Sequence, residues 1–341
     1  MASAKFVISL DFELFWGVAD AQTIAGYGPN VLGEWQAVPR MLALFARYGV
    51  RVTWATVGMI MCRNYDDWRA TRPSLLPGYA RRALSPYGMD QFVRSYPRLF
   101  FARPLVEQIL AAQGQELGTH TYGHFYCNEA GASPAQFAAD LACAQSVAAS
   151  MGASLRSAVL PRNQIVAAFL PILSQAAIQV YRGNAPHPLY RHGDAVVGGI
   201  AGRAARFADA CLPLSGKRTV LPQLHGALVN VPGSQFLYPW SRRHRALLPL
   251  RLRRLKQGMA LAAREGSTFH LWWHPHNFGV NLDENLAQLE VLLRHYRRLA
   301  DSHGMQSHCM ADFASVSATA TATTTSTAFA LPTLPGARTP S

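Results

Sequence analysis

Glu116-Leu117-Gly118-Thr119-His120-Thr121-Tyr122-Gly123-His124 sets a short strand-like run directly before two imidazoles four residues apart. If the second histidine sits on the first turn of a helix, positions i and i+4 are neighbours and both rings reach one ion. Neutral imidazole is the commonest protein ligand for a catalytic divalent metal. A chain with 12 histidines produces such a pair easily, so its weight depends on what stands at the other strand ends.

Working outward, Phe6-Val7-Ile8-Ser9-Leu10 reads as a buried strand with Asp11-Phe12-Glu13 at its C-terminal end. Val50 to Val57 gives a second strand. Leu155 to Leu160 gives another, ending at Pro161-Arg162-Asn163-Gln164, and Gln179 to Gly183 a further short one. Thr268 to His274 is strand-like and leads into His274-Pro275-His276. Helical patterns alternate with these runs. Leu42, Leu44, Phe45 and Tyr48 follow a Gly/Pro/Asn-containing loop from Gly26 to Gly33 and stop at Gly49. A helix resumes near Pro104, and Ser133-Pro134 forms an N-cap with proline at N1 for a helix through Ser150. Ile165 to Ala177, Leu248 to Ala262 and a segment capped by Asp283 and ended by Gly304 complete the set.

At least five alternations argue an α/β fold, a parallel sheet with helical crossovers. In a (β/α) barrel the C-terminal strand ends converge on one face, where the chemistry sits. Asp11/Glu13, His120/His124, Arg162/Asn163 and His274/His276 all follow predicted strand ends.

The 341 residues, half of them hydrophobic, are read as one barrel domain over 1–313 and a tail over 314–341. The tail is Ala/Thr/Ser/Pro-rich, with Arg338 its only charged residue, and is expected to be disordered. Residues 62–100 carry four prolines and no steady period, and read as an irregular insertion, a lid or substrate wall. Formal charge is +13, from 32 Lys+Arg against 19 Asp+Glu, which favours an anionic partner. Arg242, Arg243, His244 and Arg245 lead into a helix whose polar side is assigned Arg251, Arg253, Arg254 and Lys256. That stretch is a solvated helix face or a contact for an anionic membrane or lipid-linked substrate. No nucleic-acid recognition motif accompanies the charge, so no specific nucleic-acid partner is expected. The glycines of Gly198 to Arg206 do not form a dinucleotide fingerprint. Five scattered cysteines, a start without a signal pattern and no apolar run of ~18 residues point to a cytoplasmic protein.

Asp11 and Glu13 alternate with Phe12, so in an extended strand both carboxylates face one side. One can bind metal while the other stays free as a base. Glu13, His120 and His124 together give two nitrogens and one carboxylate, and three protein ligands leave a position for water or substrate. A guanidinium at Arg162 beside Asp11 would keep that carboxylate ionised. An imidazolium at His274 could protonate a leaving group, and one of Trp272 and Trp273 could stack on a sugar ring.

Taken together, Ser-Leu-Asp11-Phe-Glu13, Gly-Thr-His120-Thr-Tyr-Gly-His124, Leu-Pro-Arg162-Asn-Gln and Leu-Trp-Trp-His274-Pro-His resemble, in order, the motifs of the polysaccharide deacetylase superfamily. The resemblance spans residues 5 to 280. It implies a distorted (β/α) barrel that binds one divalent metal, usually zinc, and hydrolyses an acetamido group on a carbohydrate. Carried over by position, Asp11 would be the general base and Glu13, His120 and His124 the metal ligands. Arg162 would orient Asp11, and His274 would protonate the departing amine. The first motif departs from the usual adjacent Asp-Asp, and Pro161-Arg162-Asn163 matches its counterpart only approximately. Relatives with such variant motifs also open cyclic amides, and a barrel of this kind can bind glycans without turnover, so substrate does not follow from fold.

Overall fold

Strand β1 (Lys5–Phe12) has seven of its eight residues buried and both of its edges occupied. The computed structural model, which describes residues 3–190 and 199–315, places it near the middle of one curled sheet. The other strands are β2 (Val52–Thr56), β3 (Gln115–Thr119), β4 (Ser157–Ala158), β5 (Val180–Tyr181), β6 (Gln223–His225), β7 (Leu228–Asn230), β8 (Gln235–Phe236), β9 (Thr268–Trp273) and β10 (Gln306–His308). Their order is β6-β7-β5-β4-β3-β2-β1-β9-β8, with β10 joined to β1. Every ladder between named strands is parallel except β6–β7. No ladder among the described residues joins β6 to β8, so the barrel is open and distorted, as the resemblance implies.

Alternation along β1 divides the interior from the outer core. Phe6, Ile8, Leu10 and Phe12 pack in the main hydrophobic core with residues of the surrounding helices. Val7 belongs to a separate small cluster with Ala55, Val159, Val180, Val229, Met310 and Phe313. Strands β1, β2, β5 and β7 each contribute a small apolar side chain there, so one end of the barrel is filled. Ser9 and Asp11 lie further along the same face, in a polar layer.

The principal helices are α1 (Ile24–Tyr48), α2 (Arg103–Ala111), α3 (Pro134–Ala149), α4 (Ile200–Cys211), α5 (Leu248–Glu265) and α6 (Leu282–His303). Helix α3 starts as expected, with Ser133 and Gln136 forming a reciprocal capping box. Helix α6 starts at Leu282 after Asn281, with Asp283 in its first turn rather than as its cap.

Helix α1 corrects the sequence reading. The supposed loop from Gly26 to Gly33 is helical, capped by Thr23, whose Oγ1 accepts from Gly26 N at 3.1 Å. Its apolar stripe (Val31, Ala37, Val38, Met41, Phe45) is buried and outweighs the poor propensity of Gly and Pro. Gly33 serves contact rather than chain reversal. A Cβ there would fall 2.0 Å from the Gly279 carbonyl oxygen, and one on Gly279 would fall 1.8 Å from the Asn30 oxygen. The 275–278 turn after β9 is thus pressed backbone to backbone onto α1. Gly279→Ala is expected to cost about 3 kcal/mol, measurable by urea unfolding, because neither backbone can yield without displacing the turn.

A second correction concerns α5. Arg251 and Arg254 are 4% and 7% exposed, facing α4 and the loop after it rather than solvent. Arg253 remains exposed and Lys256 partly so, which reduces the supposed basic face. Residues 62–100 contain short helical turns anchored by buried Trp68, Val93, Leu99 and Phe100. The predicted tail lies outside the described residues from 316 onward. No helix among the described residues is long and apolar enough to cross a membrane.

Candidate metal centre

Beyond β1 the backbone leaves the extended region at Glu13 and enters a short turn, Leu14–Gly17. Gly17 has to lack a side chain, because a Cβ would meet the Glu13 carboxyl carbon at 1.9 Å. The Glu13 carboxylate is buried among four histidines. Its Oε2 lies 3.3 Å from His120 Nε2 and 3.2 Å from His124 Nε2, and its Oε1 lies 3.1 Å from His276 Nε2 and 3.8 Å from His274 Nε2.

Hydrogen bonding sorts these rings. His120 Nδ1 is 2.8 Å from the Val159 carbonyl, which can only accept, so Nδ1 carries the proton. Its Nε2 faces the Glu13 carboxylate oxygen, an arrangement in which nitrogen and oxygen can share one cation. His124 supplies a second Nε2 at the same oxygen. Three ligand atoms within 4.8 Å of one another suit one divalent ion. His276 is wired differently. Tyr27 Oη lies 2.8 Å from its Nδ1 and can donate there, leaving Nε2–H to donate to Glu13 Oε1. His276 therefore clamps the outer carboxylate oxygen while the inner one faces the histidine pair. Its ring is positioned by the Gly33–Gly279 contact.

The His120–His124 segment is not a helical turn. Thr121 and His124 have positive φ (65° and 54°), and the loop is held from α3. Asp140 accepts from Tyr122 N at 2.6 Å and Gly123 N at 2.9 Å, and Thr121 Oγ1 accepts from Phe125 N at 2.7 Å. Complete burial pushes the Asp140 carboxyl up to about 7, although the two amide donors pull it down. A carboxyl raised in the folded state makes a contribution that is full below its unfolded value and is lost as pH rises through about 7. Wild-type stability relative to Asp140→Asn should therefore decline between about pH 4 and pH 7, in urea titrations across that range.

The second carboxylate has a different partner from the one expected. Arg162 does not reach Asp11. It ion-pairs with Asp20 and lies over the Tyr126 ring, 4.3 Å from its centroid. The place beside Asp11 belongs to Arg182, immediately after β5. Its Nη1 and Nη2 donate to Asp11 Oδ1 and Oδ2, both at 2.7 Å. Nη1 also donates to Ser9 Oγ at 2.9 Å, and Nη2 and Nε to Asn163 Oδ1 at 2.8 and 3.3 Å. The five donors of the guanidinium are thereby all used. Ser9 Oγ in turn donates to His270 Nε2 at 2.8 Å, while His270 Nδ1 donates to the Val231 carbonyl. Arg162 was named because its loop follows a longer strand. Arg182 was missed because the short run Gln179–Gly183 was read as strand throughout, although it too is a polar residue at a strand end.

Burial pushes Asp11 up, but the Arg182 guanidinium, together with His120 and His274, offsets this and holds the carboxyl below its ordinary range. Glu13 is likewise driven up by burial and held well below by the surrounding histidines. His274 Nε2 stands 3.7 Å from Asp11 Oδ2, and a quarter of its side chain is exposed. Burial holds its imidazole below the ordinary range, against the pull of Glu13 and Asp11, so the ring is uncharged at neutral pH. Glu34 is completely buried in α1 and its carboxyl oxygens lack hydrogen-bond partners. Burial, reinforced by Glu13, raises it well above the carboxylate range, so it is held neutral.

Trp272 and Phe236 line a cleft next to His274, with ring centroids 6.0 and 5.8 Å from the imidazole, whereas Trp273 is in the core. On the other side, Asp20, Tyr126 and residues 83–86 from the insertion share a depression with His124.

No family model matches the chain, and no curated protein matches it. Solved structures do. A protein of Mycobacterium smegmatis assigned as a polysaccharide deacetylase matches with a TM-score of 0.59 at 11% identity, covering 99% of this chain and 96% of its own. A Pseudomonas aeruginosa protein assigned the same way matches with a TM-score of 0.51 at 12% identity, over 89% and 92%. An allantoinase matches with a TM-score of 0.52 at 10% identity, over 91% and 89%. The fold is that of the polysaccharide deacetylases and of this allantoinase.

Proposed function

We propose, from this shared fold and from a site that separates two carboxylates into different roles, that the protein is a metal-dependent hydrolase removing an acetyl group from an N-acetylated sugar. The observation that carries the reading is the convergence of His120 Nε2 and His124 Nε2 on Glu13 Oε2, at 3.3 and 3.2 Å, while Asp11 is held separately by Arg182.

Glu13, His120 and His124 would hold one divalent ion, zinc being suited to two imidazoles and a carboxylate. When bound, such an ion polarises an acyl carbonyl and acidifies water. Asp11, ionised and fixed by Arg182, would accept the proton of the attacking water. His274, neutral and partly exposed to the cleft, would take up a proton and deliver it to the departing amine. Trp272, with the Arg182 guanidinium over its ring at 4.3 Å, would form an aromatic wall of the substrate cleft. The substrate would be a polysaccharide or glycan precursor.

The likeness to an allantoinase supports a second reading, opening of a small cyclic amide by the same groups. One experiment separates them. The zinc-loaded protein is incubated with N-acetylated chito-oligosaccharides and with a cyclic ureide, and acetate release and ring opening are followed with and without chelator. Chelator-sensitive acetate release is expected. Ring opening without acetate release would overturn the deacetylase reading in favour of the second.

A further inference from the structure

Next to His274 a narrow cleft, open to solvent and enclosing about 30 Å³, is lined by Trp272, Phe236, Arg182, Tyr190 and Arg218. Two arginines therefore face it, and their charge balance differs. Arg182 is neutralised by Asp11 through two short bonds. Arg218 is only 5% exposed and its Nε has no hydrogen-bond partner. Its guanidinium carbon lies over the Tyr190 ring at 4.1 Å. The nearest carboxylate, Asp209, stays 3.8 Å from Nη2, outside hydrogen-bond distance.

Asp209 is already engaged. Its Oδ1 accepts from Ser215 N at 2.7 Å, and its Oδ2 accepts from Tyr190 Oη at 2.7 Å and Ser215 Oγ at 2.8 Å. Arg254 also approaches it, at 4.0 Å, while donating to the Gly216 carbonyl. Two guanidinium groups thus share one carboxylate whose acceptors are largely occupied. A buried cation without hydrogen-bonded charge is unfavourable, and arginine cannot relieve this by losing its proton. The missing component is an anion with oxygens spaced for the guanidinium fork.

We infer that Arg218 forms an anion subsite, binding a carboxylate or phosphate carried by the substrate beside the group that reaches His274. The identity of that neighbouring group as an acetamido sugar rests on the proposed function; the anion subsite does not.

The test is calorimetric titration of the full-length, zinc-loaded protein with two probes, sodium glucuronate and inorganic phosphate. Binding of either is expected, with Arg218→Gln weakening it at least tenfold. Arg218→Lys, which keeps the charge without the fork, should weaken it less. Selective binding of glucuronate supports a uronate-bearing substrate, and selective binding of phosphate a phosphorylated one. Wild-type protein that binds neither probe overturns the inference. So does equal binding by wild type and both variants, which would place the anion elsewhere, including on the metal. Anion binding that depends on Arg218 without acetate release from any N-acetylated sugar keeps the subsite and removes the deacetylase reading.

Discussion

Replacing Arg182 with methionine is expected to lower kcat by about 10²–10³-fold, the range of a general-base contribution. Methionine fills similar space but removes the five donors that Asp11, Ser9 and Asn163 now receive. A merely structural loss would reduce the rate uniformly across pH. The expected result is different. Without the guanidinium, burial dominates and pushes the Asp11 carboxyl upward, so the base is protonated over a wider range and the acid limb of the pH–rate profile moves to higher pH. Lysine at 182 should recover part of the pH shift but little of the rate, because one ammonium cannot occupy both carboxylate oxygens. Arg162→Met, in contrast, should cost less than about tenfold, since it breaks partly exposed pairs with Asp20 and Glu129 and a ring contact, none of which touches Asp11. A profile unchanged by Arg182→Met would remove Asp11 as the base.

The second large effect concerns metal. Purified protein is expected to hold about one divalent ion per chain, and His120→Ala to reduce this to near zero, as measured by elemental analysis after dialysis. Of the proposed ligand set only His124 and Glu13 would remain; retained metal would instead point to the second group at this carboxylate, Glu13 with His274 and His276. His276→Ala provides the graded control. It removes a donor to Glu13 Oε1 without removing a proposed ligand, so affinity should fall about 10–100-fold while saturation remains attainable. Full metal content in His120→Ala would sink the proposed centre. Loss in His276→Ala equal to that in His120→Ala would make His276 a ligand instead.

Much of this architecture can be read from the chain because strand and helix periods differ so clearly. Runs such as Phe6–Leu10 and Thr268–Trp273 are apolar, β-branched or aromatic and bounded by polar residues, which fixed both their type and the face carrying the chemistry. The failures share a cause: short elements defined by partners rather than by their own composition. Strands β6, β7 and β8 have two or three residues each and leave no periodic signal. β5 is two residues long, so the arginine after it passed as strand interior. Helix α1 was truncated because glycines needed for close contact look the same in sequence as glycines needed for turning. Asp11, Glu13, His120, His124 and His274 are all legible in the sequence as strand-end polar residues, and the structure brings them together. The arginine was misplaced by 20 residues, and His276, visible in the sequence, had no assigned task. Its hydrogen bonds with Tyr27 and Glu13 join positions about 250 residues apart.

The position of β1 has a consequence for synthesis of the protein. It is translated before the other described strands, yet one of its neighbours, β9, follows some 260 residues later. Until then the nascent strand can pair with β2 but keeps an open edge, the kind of exposed template that invites wrong association. Asp11 and Glu13 travel with it, without Arg182 until mid-chain and without His274 and His276 until nearly the end. The candidate metal centre is therefore assembled late, complete only when β9 has joined β1. A stalled polypeptide lacking β9 carries the histidine pair without His274 and His276, and so with one side of the Glu13 carboxylate open.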